Sequence, residues 1–485
     1  MGTLTALLNL SHNSLEANQA ALDITSNNVA NANTPGYTDE VATWQENDSV
    51  QLSANARVGE GASVSAVSQR DPVLNQQVNN QTQLEASSAS ESTALSDLQS
   101  IFGITATSTT AASTTLGTDM NAFFSSLSAL EASPSDISTR QAVLSAAKTL
   151  ATDFNTASSQ ITQQNAALNQ QVLGDVSEIN SLISSIATLN LQIEATSPNA
   201  DAGTLEDQRQ QDLTQLSQYI GFSQTKTENN GLTLTTATGQ VLVSEGQSYA
   251  LSTTNVGNKG NLYATGGYLD VTTSTGQDIT SDLDGTVSGA ITGGSLGGVL
   301  KARDQDLPTI SNKLDQLAYL LSNVVNTQNE AGVDLNGNAG GAFFSTIQNV
   351  NDAAGSITLL ITDPSAIAAA GVGEGASGST NATALAGLVN APIDIEGQTA
   401  SQFYASLLTQ LGDTVSGVSN ENTTQKASLT QLTTQQSSLS SVSLDQEAAN
   451  LTLYERSYEA ASKVFTIVDE LMASALNLGE ETTVT

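Results

Sequence analysis

The chain has 485 residues, enough for more than one domain, and only 13% of them are charged. Thirteen Lys and Arg stand against 48 Asp and Glu, a formal net charge of −35. That surface repels phosphate backbones and anionic bilayers, which argues against nucleic acid and membrane as partners, and the absence of cysteine removes disulfides, thiolate metal sites and cysteine nucleophiles.

Hydrophobic residues make up 38% of the chain and aromatics only 4%. A chain of this kind relies on small aliphatic contacts spread over many positions, which favours long thin assemblies over one dense core. No run reaches the ~18 apolar residues of a membrane span. The N-terminal stretch lacks a basic region and its apolar run is broken by Thr5, Asn9 and Ser11, so it does not read as a secretory signal.

The first element reads as a helix from residue 4. Leu8, Leu15, Leu22 and Val29 recur by sevens on one stripe, while Ser11, Asn18 and Thr25 fill the alternate seam positions. Burying each apolar side chain yields roughly 1.5–3 kcal/mol. Ordering the helix costs on the order of 1–2 kcal/mol per residue. Alone, such a helix is marginal. It should stop near Asn31–Asn33, because Asn and Gly are poor helix formers and Thr34 precedes Pro35. Pro35-Gly36 suits the centre of a type II turn flanked by Thr34 and Tyr37.

Strand-like pieces follow around Val41–Trp44 and Ala62–Val67, then helix from about Pro72. Pro134 and Asp136 mark a further helix start, and a heptad pattern runs from Phe154 to Ile193 with Ser158, Asn165 and Asn190 in its seam. Helix returns over residues 205–221. Residues 222–292 alternate with period two, with Gly239 in a turn between strands. Ile310, Leu314, Leu317, Leu321 and Val324 carry the next helix; residues 334–344 read as a loop and 371–390 as a linker or outer loop. Two long helices close the chain. The first frame runs from Tyr404 to Leu439; the second takes Leu451, Tyr454, Tyr458, Ala461, Phe465, Val468, Met472 and Ala475. A hinge is expected between them, with Ser443 and Gln446 at capping-box spacing.

Chemistry is thinly represented. The one histidine, His12, lies on the N-terminal helix and lacks the partners of a zinc site or a triad. Asp334, Asn336 and Asn338 imitate the opening of a calcium loop, but Ala339 and Ser345 stand where Gly and Glu belong. The glycine-rich stretch before Lys301 does not fit a phosphate-binding loop. No catalytic residue, cofactor or metal is assigned, and the chain is expected not to be an enzyme. A carbohydrate-active enzyme on a coiled-coil scaffold is the alternative from another class, disfavoured by the scarcity of aromatic sugar platforms.

"SNNVANANTPGYT" (26–38) resembles the N-terminal signature of bacterial flagellar rod, hook and hook-associated axial proteins, matching at Asn27, Asn28, Ala30, Asn31, Pro35, Gly36 and Tyr37. Residues 441–476 resemble the same family's C-terminal helix. The stretches 123–147, 205–221, 293–307 and 326–344, with a weaker one at 363–370, narrow the likeness to the hook-associated members at the hook–filament junction; a hook or distal rod protein is the alternative within the class.

The resemblance implies an extracellular structural protein, exported unfolded through the flagellar type III apparatus. Its partners would be its own copies in a ring of about eleven subunits, the hook protein, the second junction protein and filament, and an export chaperone acting near the C-terminal end. The short stretch between Phe344 and Asp363 departs from relatives that carry a large β domain there.

The fold class expected is mainly α with a β-rich insert (α+β), elongated, with a helical-bundle and coiled-coil core built from both ends. Residues 1–38 with 441–485 would form a terminal assembly domain, disordered in the monomer. Residues 39–221 with 293–440 would be the helical core, 222–292 a β-rich outer domain and 345–392 a short outer or linker segment. The expected assembly interface comprises Leu8, Leu15, Leu22, Val29, Asn31, Pro35, Gly36 and Tyr37 with Leu451, Tyr454, Tyr458, Phe465, Val468 and Met472.

Overall fold

A computed structural model describes residues 2–53, 56–103, 115–197, 201–256, 268–280 and 291–480. Helix α1 (Gly2–Asn31) leads into a ribbon: β1 (Glu40–Glu46) pairs antiparallel with β4 (Ala62–Ser68), and β2 (Ser49–Ser53) with β3 (Ala56–Gly59) lies between them. The Trp44 strand is thus half of a longer hairpin than the apolar letters alone marked.

Helices α2 (Pro72–Ile101), α3 (Thr115–Ala132) and α4 (Ile137–Thr196) follow. Asp71 caps α2, accepting from the backbone N–H of Val73 and Leu74, and Pro72 occupies the first turn where no N–H is needed. Asp136 caps α4 through the Thr139 N–H. From that start α4 runs unbroken for 60 residues, ~90 Å at about 1.5 Å per residue.

Helix α5 (Thr204–Tyr219) precedes an antiparallel meander of β5 (Phe222–Lys226), β6 (Leu232–Thr236), β7 (Val241–Ser244) and β8 (Gln247–Ser248), and then β9 (Ser252–Asn255) pairs with β10 (Leu269–Thr272). Parts of the 222–292 region, 257–267 and 281–290, lie outside the described residues. Helix α6 (Gly294–Lys301) passes through a π-helical segment, Ala302–Asp306, into α7 (Leu307–Glu330). Short α8 (Ala353–Ser356) and α9 (Thr380–Gly387) precede α10 (Ala400–Ser440) and α11 (Leu444–Glu480).

Two apolar clusters share the α4 rod. One joins its N-terminal half, including Phe154 and Ile161, to α3, α7, α9, the start of α10 and the Phe343–Phe344 pair. The other joins Leu168 through Ala187 to α5, α6 and the small sheets. Between them Asn165 is buried, with neither side-chain amide atom partnered among the described residues. The seam polar residue Asn190 is satisfied: it donates to the carbonyls of Leu232 and Glu245 and accepts from Arg209.

Residues 345–392 correct the reading as an outer or linker segment. Ala353, Ala354, Ile357, Ile367, Ala369, Ala382 and Leu385 are wholly buried in the first cluster, and 380–387 is helix. Small side chains made this stretch look like linker, yet small side chains are what let it lie close on α3, α4 and α7.

Glycine supplies close approach elsewhere. A Cβ at Gly298 would sit 2.1 Å from the Ser87 carbonyl oxygen, so the glycine-rich start of α6 serves to seat that helix on α2. Lys301 pairs with Glu91 at 2.7 Å. The calcium-like loop is closed on itself: the Asp334 carboxylate accepts from the N–H of Asn336 and Asn338, both at 2.8 Å, and from the Asn338 side chain.

The polar composition is explained by the long contacts. Helix α10 runs antiparallel along α2, bridged by Gln436 to Asn75 (2.7 Å), Gln81 to Gln425 (2.6 Å) and Asn422 to the Glu85 carbonyl (3.3 Å).

Candidate assembly site at the chain termini

Helices α1 and α11 pack on each other. The end of α1 meets the start of α11, where the buried Asn28 donates to Glu447 Oε2 at 3.2 Å, so the two run antiparallel. The β1–β4 ribbon lies along α1, tied by Asn13 Nδ2 to the Glu60 carbonyl (2.7 Å). Trp44 meets Tyr454 of α11 with ring centroids 6.2 Å apart.

The burial on α1 reverses a simple coiled-coil reading. Ser11, Asn18, Thr25 and Asn28 are buried, with Ala17 and Ala21, whereas Leu8, Leu15 and Leu22 are half-buried and Val29 is 46% exposed. Small polar groups let the elements approach closely, and the leucines flank the seam. On α11 Val468 is buried; Leu451, Tyr454, Phe465 and Met472 are half-buried. Tyr458 is exposed, and the half-buried Ser457 beside it lies on the inward face.

One flank of α11 carries a second stripe. Leu453, Val464, Ile467 and Leu471 are 58%, 49%, 56% and 53% exposed. Their spacing by three, four and eleven residues puts them on one helical face.

The turn after α1 is built as its letters imply. Thr34 N–H returns to the Asn31 carbonyl (2.8 Å), Tyr37 N–H closes on the Thr34 carbonyl (3.2 Å), and Gly36 sits at φ 81° between them. Asn31 Nδ2 bonds Asn27, and its Oδ1 accepts from the Thr34 hydroxyl. Pro35 and Gly36 stand exposed at the mouth of a polar cleft of 370 Å³ between the turn, α5 and the α10–α11 joint.

Tyr37 reaches back, its hydroxyl donating to Asn28 Oδ1 at 2.8 Å. Burial, with the acidic Glu40, Asp207, Asp39 and Glu447 around it, holds its pKa well above the usual phenol range. Asp39 is raised to about 6, by burial and then by Glu447. Its Oδ1 is buried without a partner among the described residues.

Beside this turn lies a group that the sequence reading missed. Arg70 bonds Asp201 (2.9 Å), Glu206 (2.7 Å) and Asp207 (2.9 Å), and Asp207 also accepts from Thr38 N–H (2.9 Å) and Oγ1 (2.7 Å). Burial pulls the Arg70 pKa down, but the three carboxylates outweigh it and hold it up. This cluster latches the chain leaving α1 to the loop before α5. Its signal was a lone arginine just ahead of an Asp-Pro helix start, and acids of the 201–207 stretch facing it. Glu447 was also missed; the capping-box spacing drew attention to Gln446, one residue earlier.

Among the described residues no group of acidic or histidine side chains is placed to hold a metal ion, and no helix is long and apolar enough to cross a membrane.

Comparison with known proteins gives a consistent result. Residues 95–344, just over half of the chain, match the profile described as the flagellar hook-associated protein FlgK helical domain. Residues 8–38 match the flagella basal body rod protein profile, and 435–478 the C-terminal profile of the flagellar basal body rod FlgEFG proteins. The flagellar hook-associated protein 1 of Escherichia coli K12 is 27% identical, covering 98% of this chain and 100% of the relative. That of Bacillus subtilis 168 is 27% identical, covering 97% of each. A solved structure, the flagellar hook junction protein FlgK from Burkholderia pseudomallei, superposes with a TM-score of 0.64 at 20% identity, over 76% of this chain and all of that one, and shares its fold.

Proposed function

The chain belongs to the family of the flagellar hook-associated protein FlgK, and from that premise we propose how its ends build the hook–filament junction. It is a structural component of the bacterial flagellum, extracellular, joining hook to filament and assembling with components of both.

The observation that carries the mechanism is the exposed stripe of α11. Leu453, Val464, Ile467 and Leu471 line a flank of α11 beside its inward face, each about half exposed. Contiguous apolar surface of this kind marks an interaction site. A neighbouring copy covers it in the assembled ring, and the half-buried leucines of α1 complete the same contact. Residues 1–38 with 441–485 act as the assembly domain, 39–221 with 293–440 as the helical body, now including 345–392, and 222–292 as the outer domain.

Before assembly, the polar seam leaves the terminal pair too weak to stay folded, so the chain crosses the export apparatus unfolded and folds when neighbours arrive. The ring holds about eleven subunits. An export chaperone shields the C-terminal stripe on the way. This role requires no catalysis, and we assign none.

Electron microscopy of cells lacking the chain tests the junction role. Bare hooks with flagellin shed into the medium are expected; normal filaments would overturn it.

A further inference from the structure

The seam between α1 and α11 has a weakness that its own residues correct. Ser11 Oγ donates to the Leu7 carbonyl (2.9 Å) and Asn18 Nδ2 to the Ser14 carbonyl (2.6 Å). Both bonds stay within α1, so they are the same wherever α11 slides. The flanking leucines recur by sevens and also tolerate a shift of one heptad.

Asn28 behaves differently. It is fully buried, and its amide uses every donor and acceptor it has. Nδ2 donates to the Glu40 carbonyl (2.8 Å) and Glu447 Oε2 (3.2 Å); Oδ1 accepts from Tyr37 Oη (2.8 Å) and the Glu40 N–H (3.1 Å). Toward β1 the side chain imitates a strand backbone, pairing with both the N–H and the C=O of one residue. Toward α11 it has a single buried acceptor. Glu447 is itself 4% exposed, and its other oxygen accepts from Asn450. Near the same level Asp39 N–H donates to the Ser440 carbonyl (2.9 Å), just ahead of α11.

We propose that Asn28 and Glu447 form a register lock, which admits α11 to the seam at one level only. A slip of one heptad would set Asn28 against Tyr454 or, in the other direction, Glu447 against Ala21, leaving a buried polar group without its partner. A single buried polar pair can select register in this way even where it adds little stability. The lock sets the axial level of α11 along α1, and so the level of its exposed stripe. It therefore determines whether the stripe of Val464, Ile467 and Leu471 meets a neighbour, and in this it rests on the assembly reading above.

The absence of native cysteine makes the test direct. One heptad back along α1 and one forward along α11 from the lock, Ala21 lies level with Tyr454; Ala461 is a heptad further. Full-length chains carrying Ala21→Cys with either Tyr454→Cys or Ala461→Cys are incorporated into flagella, which are then purified and oxidised. The first pair is expected to cross-link at least tenfold more than the second. In a background of Asn28→Leu and Glu447→Leu, the two pairs should cross-link within about twofold of each other. Persistence of the single native cross-link there would overturn the lock.

Exclusion of the double leucine variant from flagella, while Glu447→Gln enters normally with one cross-link, also meets the expectation, because glutamine keeps an acceptor for Asn28. Exclusion of Glu447→Gln as well would overturn it. Absence of the two-cysteine chains with an intact lock from purified flagella would instead remove the assembly reading, and the lock with it.

Discussion

Replacing Val464, Ile467 and Leu471 together by glutamine removes most of the outward stripe of α11 while keeping a good helix former at each position. The three are 49%, 56% and 53% exposed, so about half of each side chain remains for a neighbour to cover. Full burial of such a side chain yields roughly 1.5–3 kcal/mol, so the remaining half yields about 0.8–1.5 kcal/mol each, or about 2.5–4.5 kcal/mol per subunit for the three. At about 1.4 kcal/mol per tenfold, that is a weakening of roughly 10²–10³ per contact. The assay is complementation of cells lacking the chain, scored as filaments per cell by electron microscopy, with thermal unfolding of the soluble variant as control. Loss of filaments with an unchanged body Tm is expected, since exposed positions contribute within ~0.5 kcal/mol to folding. Wild-type filament numbers would refute the reasoning.

Gly298→Ala drives a methyl against the Ser87 carbonyl and should cost about 1–3 kcal/mol or more, read as a lower Tm. Arg70→Leu leaves Asp201, Glu206 and Asp207 facing one another; the latch should loosen by about 3–5 kcal/mol, and limited proteolysis between residues 38 and 72 should accelerate. Tyr37→Phe removes the hydroxyl bond to Asn28, worth about 0.5–1.5 kcal/mol, and should raise exchange of the α1 C-terminal amides in assembled flagella. The body should also lose stability as pH rises. Burial lifts Asp315 and Asp153 to about 7 and Asp175 and Asp306 to about 6, the second also under Asp119 and the last also under Glu91. A raised carboxylate pKa means the folded chain holds more protons than the unfolded one between pH 4 and 7, so stability is greatest near pH 4 and falls through pH 7. Tm should therefore drop between pH 5 and 8. Asp306→Asn should reduce that drop, as its Oδ2 has no hydrogen-bond partner to lose among the described residues.

Periodicity and punctuation made much of the fold legible. The stop of α1 within Asn31–Asn33, the Pro35-Gly36 turn, the Asp136 cap and the break between α10 and α11 are all local signals, and each falls where its residues demand. The seam of α11 was readable through Leu451, Tyr454, Phe465, Val468 and Met472 because its heptad is apolar. On α1 the same rule pointed to the leucine stripe, while the structure buries the polar positions beside it, since close approach to both a ribbon and a helix favours small groups. The segment 345–392 misled for a related reason: Ala and Gly signal linker when isolated and tight packing when covered. Arg70, Asp207 and Glu447 carry no local signal that names their partners, which lie well over a hundred residues away or, for Glu447, at the opposite end of the chain.

Hydrogen exchange on the purified, solitary full-length chain, compared with the same chain in assembled flagella, bears most directly on folding driven by neighbours. Amides of residues 4–32 and 444–476 should exchange nearly freely in solution, while α4 is strongly protected, and become protected on assembly. Strong protection of both terminal segments in the solitary chain would contradict it.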